Sequence, residues 1–202
     1  MRVIAGSMKG HALKVPRSSS TRPMSQRIRE ALFSVLDSRE IYPYRVLDLY
    51  AGSGGIGIEA LSRGAAWCDF VERNGAACRV IRDNLRSTRF DERAKVHQAE
   101  VGRFLERVNQ PYDLVTLDPP YADPGIVEML RRLEQSSAVE SGSAVALGHW
   151  PRLDTPARIG RLALLRERCH GDSCFAVYVV QTPETGFASE ELVVTHGGHG
   201  EV

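Results

Sequence analysis

The spacing of apolar positions changes period several times along the chain. Ile28, Ala31, Leu32, Val35 and Leu36 follow i, i+3, i+4, i+7, i+8, which predicts an amphipathic helix. Ser25 stands where its N-cap belongs, and Arg27 and Arg29 lie off the apolar stripe, free to face solvent or a partner. After Pro43, short apolar runs take over. RVLDLY (45–50), WCDFVE (67–72), AKVHQAE (94–100), YDLVTLD (112–118) and SAVALG (143–148) read as strands. Helical stretches at 54–64, 74–85, 101–108 and 124–133 separate them. That alternation predicts right-handed crossovers and an α/β fold with a parallel sheet. GRLALLRERCHG (160–171) and SCFAVYVVQT (173–182) have no helix between them. They predict an antiparallel C-terminal hairpin turning near Gly171-Asp172, for seven strands in a mostly parallel sheet. Residues 1–24 read as extended chain broken by glycines and prolines, with a small hairpin around Lys9-Gly10. The tail THGGHGEV is expected to be disordered.

The length, 202 residues, fits one domain with a small appendage. No apolar run is long enough to span a membrane, and no signal-peptide core follows the first Met, so a cytoplasmic protein is expected. Cys68, Cys78, Cys169 and Cys174 form no CxxC and read as thiols rather than a disulfide scaffold or metal ligands; no metal is expected. Charge is unevenly spread. Residues 1–45 carry a net +6 and the remainder −5. A basic arm on a mildly acidic body suggests a polyanionic partner.

Two stretches carry chemistry. In VLDLYAGSGGIGIEA (46–60), Asp48 ends a strand and Ala51, Gly52, Ser53 and Gly54 lead into a helix. Bare backbone and helix N–H groups there can receive a ligand. A carboxylate at position 48 is wrong for a pyrophosphate and right for an ammonium. Glu72, at the end of the next strand, is placed to take both hydroxyls of a ribose. This pair resembles the class I S-adenosylmethionine (AdoMet) methyltransferases. The resemblance implies a Rossmann-like class I methyltransferase fold with AdoMet as cofactor. It puts Asp48 and the Gly52–Gly54 backbone near the methionine part, Glu72 on the ribose, and Glu100 on the adenine amino group with Val101 beside it.

The second stretch is LDPPY (117–121). In that fold it faces the methyl group. An exocyclic amine is a poor nucleophile, because its lone pair is delocalised into the ring. The Asp118 carboxylate and the Pro119 carbonyl can accept its two N–H groups. Pro119 and Pro120 fix the chain, and Tyr121 can stack on the base; Asp118 also borders the cofactor. A base in structured RNA must be unstacked to fit. An acceptor-only Asp at 118 suits the adjacent donors of guanine.

With the arm included, RVIAGSMKGHALKVP, TRPMSQRIREALFSVL, the glycine loop, FVERN and LDPPY together resemble the RsmD family. That family methylates a guanine N2 amine in bacterial 16S rRNA. The resemblance implies an assembled small ribosomal subunit as partner, and a monomer is expected. It also implies a 1–38 extension (short hairpin plus helix) docking on RNA through Arg2, Lys9, Arg22, Arg27 and Arg29, ahead of a 39–202 AdoMet-dependent domain. One departure stands out: LGHWP (147–151) has no acid where family members carry one, and His149 reads as structural. Competing readings are a DNA adenine or protein-glutamine methyltransferase, a non-catalytic RNA-binding relic, and a nicotinamide dehydrogenase. A base-reading domain, no need for a basic arm, eroded motifs and absence of DPPY respectively would mark them.

Overall fold

The computed structural model describes residues 1–16, 24–119 and 125–182. In chain order the elements are α1 (Gln26–Ser38), β1 (Arg45–Leu49), α2 (Gly55–Ser62), β2 (Trp67–Glu72), α3 (Gly75–Thr88), a 3₁₀ turn (Asp91–Arg93), β3 (Ala94–Gln98), α4 (Val101–Leu105), β4 (Leu114–Leu117), α5 (Ile126–Glu134), β5 (Ala144–His149), β6 (Arg158–Ile159), β7 (Leu162–His170) and β8 (Ser173–Val180). They build one sheet in the order β3-β2-β1-β4-β5-β8-β7-β6. The first five strands are parallel, and β8, β7 and β6 close the sheet antiparallel. This is the expected α/β architecture, with the two-residue β6 added to the seven strands read from the sequence.

Both faces of the sheet are covered. Val46, Cys68, Phe70 and Leu114 pack with Ile28, Leu32, Ile58 and Ile81 of α1, α2 and α3. Leu47, Val71, Val115 and Leu117 pack with Leu105, Leu130 and Leu133 of α4 and α5. Burial on both faces explains why β1 and β4 are buried at nearly every position instead of alternating. Ser25 caps α1 as expected, its Oγ accepting the Ile28 amide at 3.3 Å.

The arm lies on the α1–α2 face. A single antiparallel bridge, Arg2 to Ala12, marks the expected hairpin, and the Gly10 amide donates to Val3 O at 2.9 Å. Its anchor is Glu59, a fully buried carboxylate on α2. Glu59 accepts the amides of Ile4 (2.7 Å) and Ala5 (3.0 Å) and Nε of Arg63 (2.9 Å). Next to it, the Ser62 hydroxyl donates to Ala5 O at 2.6 Å and accepts the Met8 amide at 3.0 Å.

Two expectations are corrected. Arg29 is 1% exposed and does not face a partner. Its Nη2 donates to Arg2 O at 2.6 Å and its Nη1 to Met1 Sδ at 2.7 Å. Burial lowers its pKa, against the opposing pull of Glu59. The buried side of α1 therefore includes Arg29 and Phe33 beside the apolar stripe, because the arm covers that flank. Cys169 and Cys174 are joined as a disulfide, Cα atoms 4.0 Å apart. The tight β7–β8 turn sets them directly opposite each other across the hairpin.

Glu59→Ala removes the acceptor from three donors at once. The expected cost is about 2–4 kcal/mol of stability, with the arm released to proteases before the body unfolds. Urea unfolding and limited proteolysis read the two effects separately; Glu59→Gln, which keeps one acceptor oxygen, is expected to lose less.

Candidate active site

The candidate site lies at the carboxyl ends of β1, β2 and β4, where the strand order reverses on either side of β1. The glycine loop crosses above. Gly52 and Gly54 take φ of +56° and +78°, a region that favours glycine, and Gly54 is the N-cap of α2. The amides of Gly55 and Ile56, first in the helix, find no acceptor among the described residues. They form a ready donor pair for a ligand at the helix start.

Asp48 sits beneath this loop, 1% exposed. Its Oδ2 accepts the Gly57 amide at 3.0 Å and its Oδ1 the Thr116 hydroxyl at 2.8 Å. Asp48 thus joins α2 to β4 beneath the loop. Burial pushes its carboxyl up, the two hydrogen bonds oppose this, and Asp118 and Glu72 add to the rise, which ends at about 7.

Glu72 ends β2 with its carboxylate toward the loop. Oε2 accepts the Gly52 amide at 3.0 Å and Oε1 the Asn74 amide at 2.7 Å. A carboxylate offers about four acceptor sites, so two remain for hydroxyls. Ala51 is tied to β2 by its amide to Val71 O at 3.1 Å. Ser53 is buried, and its carbonyl accepts Nδ2 of Asn84 at 2.9 Å. Glu100 follows β3 and is exposed, with Arg103 at 3.8 Å, and Val101 is buried at the start of α4. Open helix amides, a strand-end carboxylate with spare acceptor sites and an exposed acid beyond it fit AdoMet, with its carboxylate, ribose and adenine amine.

Asp118 follows β4 directly, beside Leu49, whose carbonyl takes the Asp118 amide at 3.5 Å. Its Oδ2 accepts the Met24 amide at 3.2 Å. Gly148 on β5 lies against it: a Cβ added there would sit 2.5 Å from Asp118 Oδ1. Burial pushes the Asp118 carboxyl up to about 6, and the Met24 amide pulls the other way. Pro119 is buried next to it. Pro120, Tyr121 and Arg22 lie outside the described residues. Arg2, Lys9 and Arg27 are exposed; Arg2 also donates to Gly10 O at 2.8 Å, and Arg27 meets the His170 ring at 2.9 Å.

Several residues of the site were not singled out from the sequence. Met24 and Gly148 hold Asp118 from two sides, and nothing in their local pattern announces it. Asn84, buried on α3, bridges the arm and the loop: Oδ1 accepts the Lys14 amide at 2.8 Å, and Nδ2 donates to the carbonyls of Lys14 (3.0 Å) and Ser53 (2.9 Å). Tyr50 holds φ +57° at the loop entrance, an outlier for an aromatic residue. His149, read from the sequence as structural, is buried, its Nδ1 2.8 Å from Trp150 O and its Nε2 3.2 Å from Glu167, and burial lowers its pKa.

Comparison with known proteins follows the geometry. A family model described as Conserved hypothetical protein 95 matches residues 1–179. A candidate rRNA methyltransferase of Bacillus subtilis, YlbH, is 33% identical over 185 residues, covering 88% of this chain and 98% of that protein. Ribosomal RNA small subunit methyltransferase D of Escherichia coli K12 is 30% identical over 178 residues, covering 88% and 89%. A solved structure of a candidate methyltransferase from Escherichia coli, yhhF, superposes with a TM-score of 0.79 at 28% identity, covering 90% and 98%. The helix amides, the two strand-end acids and the acid after β4 are thus set in the fold of these methyltransferases, and the chain belongs to the Conserved hypothetical protein 95 family, that of the RsmD proteins.

Proposed function

We propose that the protein transfers a methyl group from AdoMet to the exocyclic N2 amine of a guanine in small-subunit rRNA, with assembled particles as substrate. The observation that carries this reading is the Asp118 carboxylate. It is partly buried at the end of β4, fixed by the Met24 amide, and crowded by Gly148, one strand over from the glycine loop. The E. coli relative named for small-subunit rRNA supports the substrate class.

AdoMet, when bound, supplies an electrophilic methyl on a sulfonium. The protein's own part is positional and electrostatic. The N–H groups of Gly55 and Ile56 orient the methionine end. Glu72 holds the ribose, and Glu100 reaches the adenine amine. Asp118 and the Pro119 carbonyl accept the two N–H groups of the target amine. This turns its lone pair out of the ring and toward the methyl carbon. With AdoMet bound, its methyl would pass to this amine, and the Asp118 carboxylate, already hydrogen-bonded to the amine, is placed to take the excess proton or hand it to solvent. Arg2, Lys9, Arg22 and Arg27 contact RNA on the arm side.

The direct test uses tritiated AdoMet with small-subunit particles from a strain lacking the endogenous enzyme, beside naked 16S rRNA and duplex DNA. Label in N2-methylguanosine from particles is the expected result. Label in methyladenine keeps the site but overturns the guanine assignment. Asp118→Asn is expected to lower kcat by about 10²–10³ while AdoMet affinity stays within about twofold. Equal loss of both contradicts the role given to Asp118.

The pH profile follows from the same group. The neutral acid carries an O–H and cannot accept both amine hydrogens, so only the ionised form is active. With its carboxyl raised to about 6, activity is expected to rise with pH up to about 6 and then level off. Below that it falls about tenfold per pH unit. In Asp118→Asn the residual rate is expected to show no such limb.

A further inference from the structure

Charge is also uneven within the body. Residues 73–95 carry seven Lys/Arg against three acids, a net +4, inside a body whose net charge is −5. Most of that excess lies on one helix. α3 turns Ile81 and Leu85 into the core. Arg79, Arg86 and Arg89 are exposed, and Arg82 is half-buried. At 3.6 residues per turn these four fall within about 80° of the helix circumference and rise about 15 Å from first to last. They form one stripe. On one side is β3, where Arg82 Nη2 donates to Val96 O at 3.5 Å. On the other is the arm, where Lys14 meets Asp83 at 3.2 Å and His11 meets Ser87 at 3.1 Å.

The stripe works against its own helix. Arg79 and Arg82, Arg82 and Arg86, and Arg86 and Arg89 stand three or four residues apart, where like charges repel. The helix dipole favours cations in the last turn only, which accounts for Arg86 and not for Arg79, and no acid stands in the first turn. Among the described residues, Asp83 is the one acid paired with the stripe, 3.5 Å from Arg86. Asp91 and Glu92, just past the helix, pair with none of the four arginines. Arg89 closes α3 at φ +58°, the left-handed region where a helix end favours glycine. A long cation is kept at this strained position, exposed and with no ion pair among the described residues. Nothing inside the chain repays that strain or the repulsion along the stripe, so the charge faces an anionic partner.

The rest of the helix surface narrows the partner. A protein interface or a bilayer surface needs apolar area to bury. The large apolar residues exposed among the described residues are Val15, Tyr42, Tyr44 and Trp150, none of them on α3. An unpaired RNA strand is held by rings under its bases as well as by charge, and α3 (GAACRVIRDNLRST) contains no aromatic residue. A double helix stacks its base faces away and presents phosphates, which a guanidinium grips with two hydrogen bonds at once. The stripe also leads to the methyl-transfer site. α3 starts beside Glu72, whose Oε1 accepts the Asn74 amide at 2.7 Å. The arm next to it is tied to α3 at Lys14 and to Asp118 at Met24.

We propose that Arg79, Arg82, Arg86 and Arg89 dock the phosphates of an RNA double helix that flanks the target nucleotide. This rests on RNA being the substrate, and adds to the arm a second contact surface whose partner is paired RNA. The stripe begins near the rim that holds Glu72 and runs away from it along α3. It therefore holds a neighbouring stem and leaves the target base to Asp118.

Fluorescence anisotropy of the full chain with a labelled RNA hairpin, its stem about 16 base pairs long, over a salt series tests this. Arg79→Gln with Arg89→Gln keeps helix propensity and removes two cations. It is expected to weaken stem binding at least about tenfold and to flatten the log–log salt slope by about 1.8. Arg89→Gly alone is expected to weaken it about threefold, half of that loss on a log scale. It is also expected to melt no lower than wild type, because glycine relieves the left-handed backbone. AdoMet affinity, measured by calorimetry, is expected to match wild type in both. In methyl transfer to particles the double variant is expected to raise KM and leave kcat unchanged. Wild-type stem binding by the double variant overturns the proposal, and a raised particle KM beside it marks an acidic protein as the partner instead. An equal loss on an unpaired strand or on heparin also overturns it, because it marks a general polyanion patch. A wild type that methylates no RNA sinks the proposed function, whereas an active wild type with unaffected variants sinks only the stripe.

Discussion

The site depends on one buried carboxylate. Asp48 bridges the third amide of α2 and the hydroxyl of Thr116, so one side chain fixes the helix start against both β1 and β4. Remove it and the start of α2 loses its tie to β4, with the loop still held by Glu72, Val71 and Asn84. The constraint is costly. The carboxylate is out of water, and neighbouring Asp118 and Glu72 repel it. Only hydrogen bonds to its charged form offset that cost. Three acids around one loop make a region of negative potential, which suits a cationic cofactor.

Much of this was legible in the sequence. Period changes gave the strand–helix alternation, and the missing helix between 171 and 173 gave the antiparallel end. The glycine loop and the strand-end acids were visible because their chemistry depends on local spacing. What escaped depends on contacts between segments far apart in sequence. Gly148 and Met24 meet Asp118 only because β5 and the start of α1 converge on β4. Arg29 looked like a surface cation because the helical stripe was judged without the arm that covers it. The Cys169–Cys174 pair escaped for a different reason: cysteine counting asks for a scaffold, and this disulfide ties only one hairpin.

Asp48 shows how a motif residue carries a structural duty as well. Its position points to an ammonium, and each of its oxygens also accepts one protein donor. The pattern identifies where charge is needed, and the packing decides whether that charge reaches the ligand directly or through the loop it holds.

Asn84 uses one amide to satisfy the backbone of the arm at Lys14 and of the cofactor loop at Ser53. Arm and loop are therefore not separable parts that recombination can exchange freely. A foreign arm that displaced the Lys14 backbone would leave an amide unpaired in the core and disturb the loop as well. The two segments are bound to be inherited together, and changes in one restrict the changes tolerated in the other.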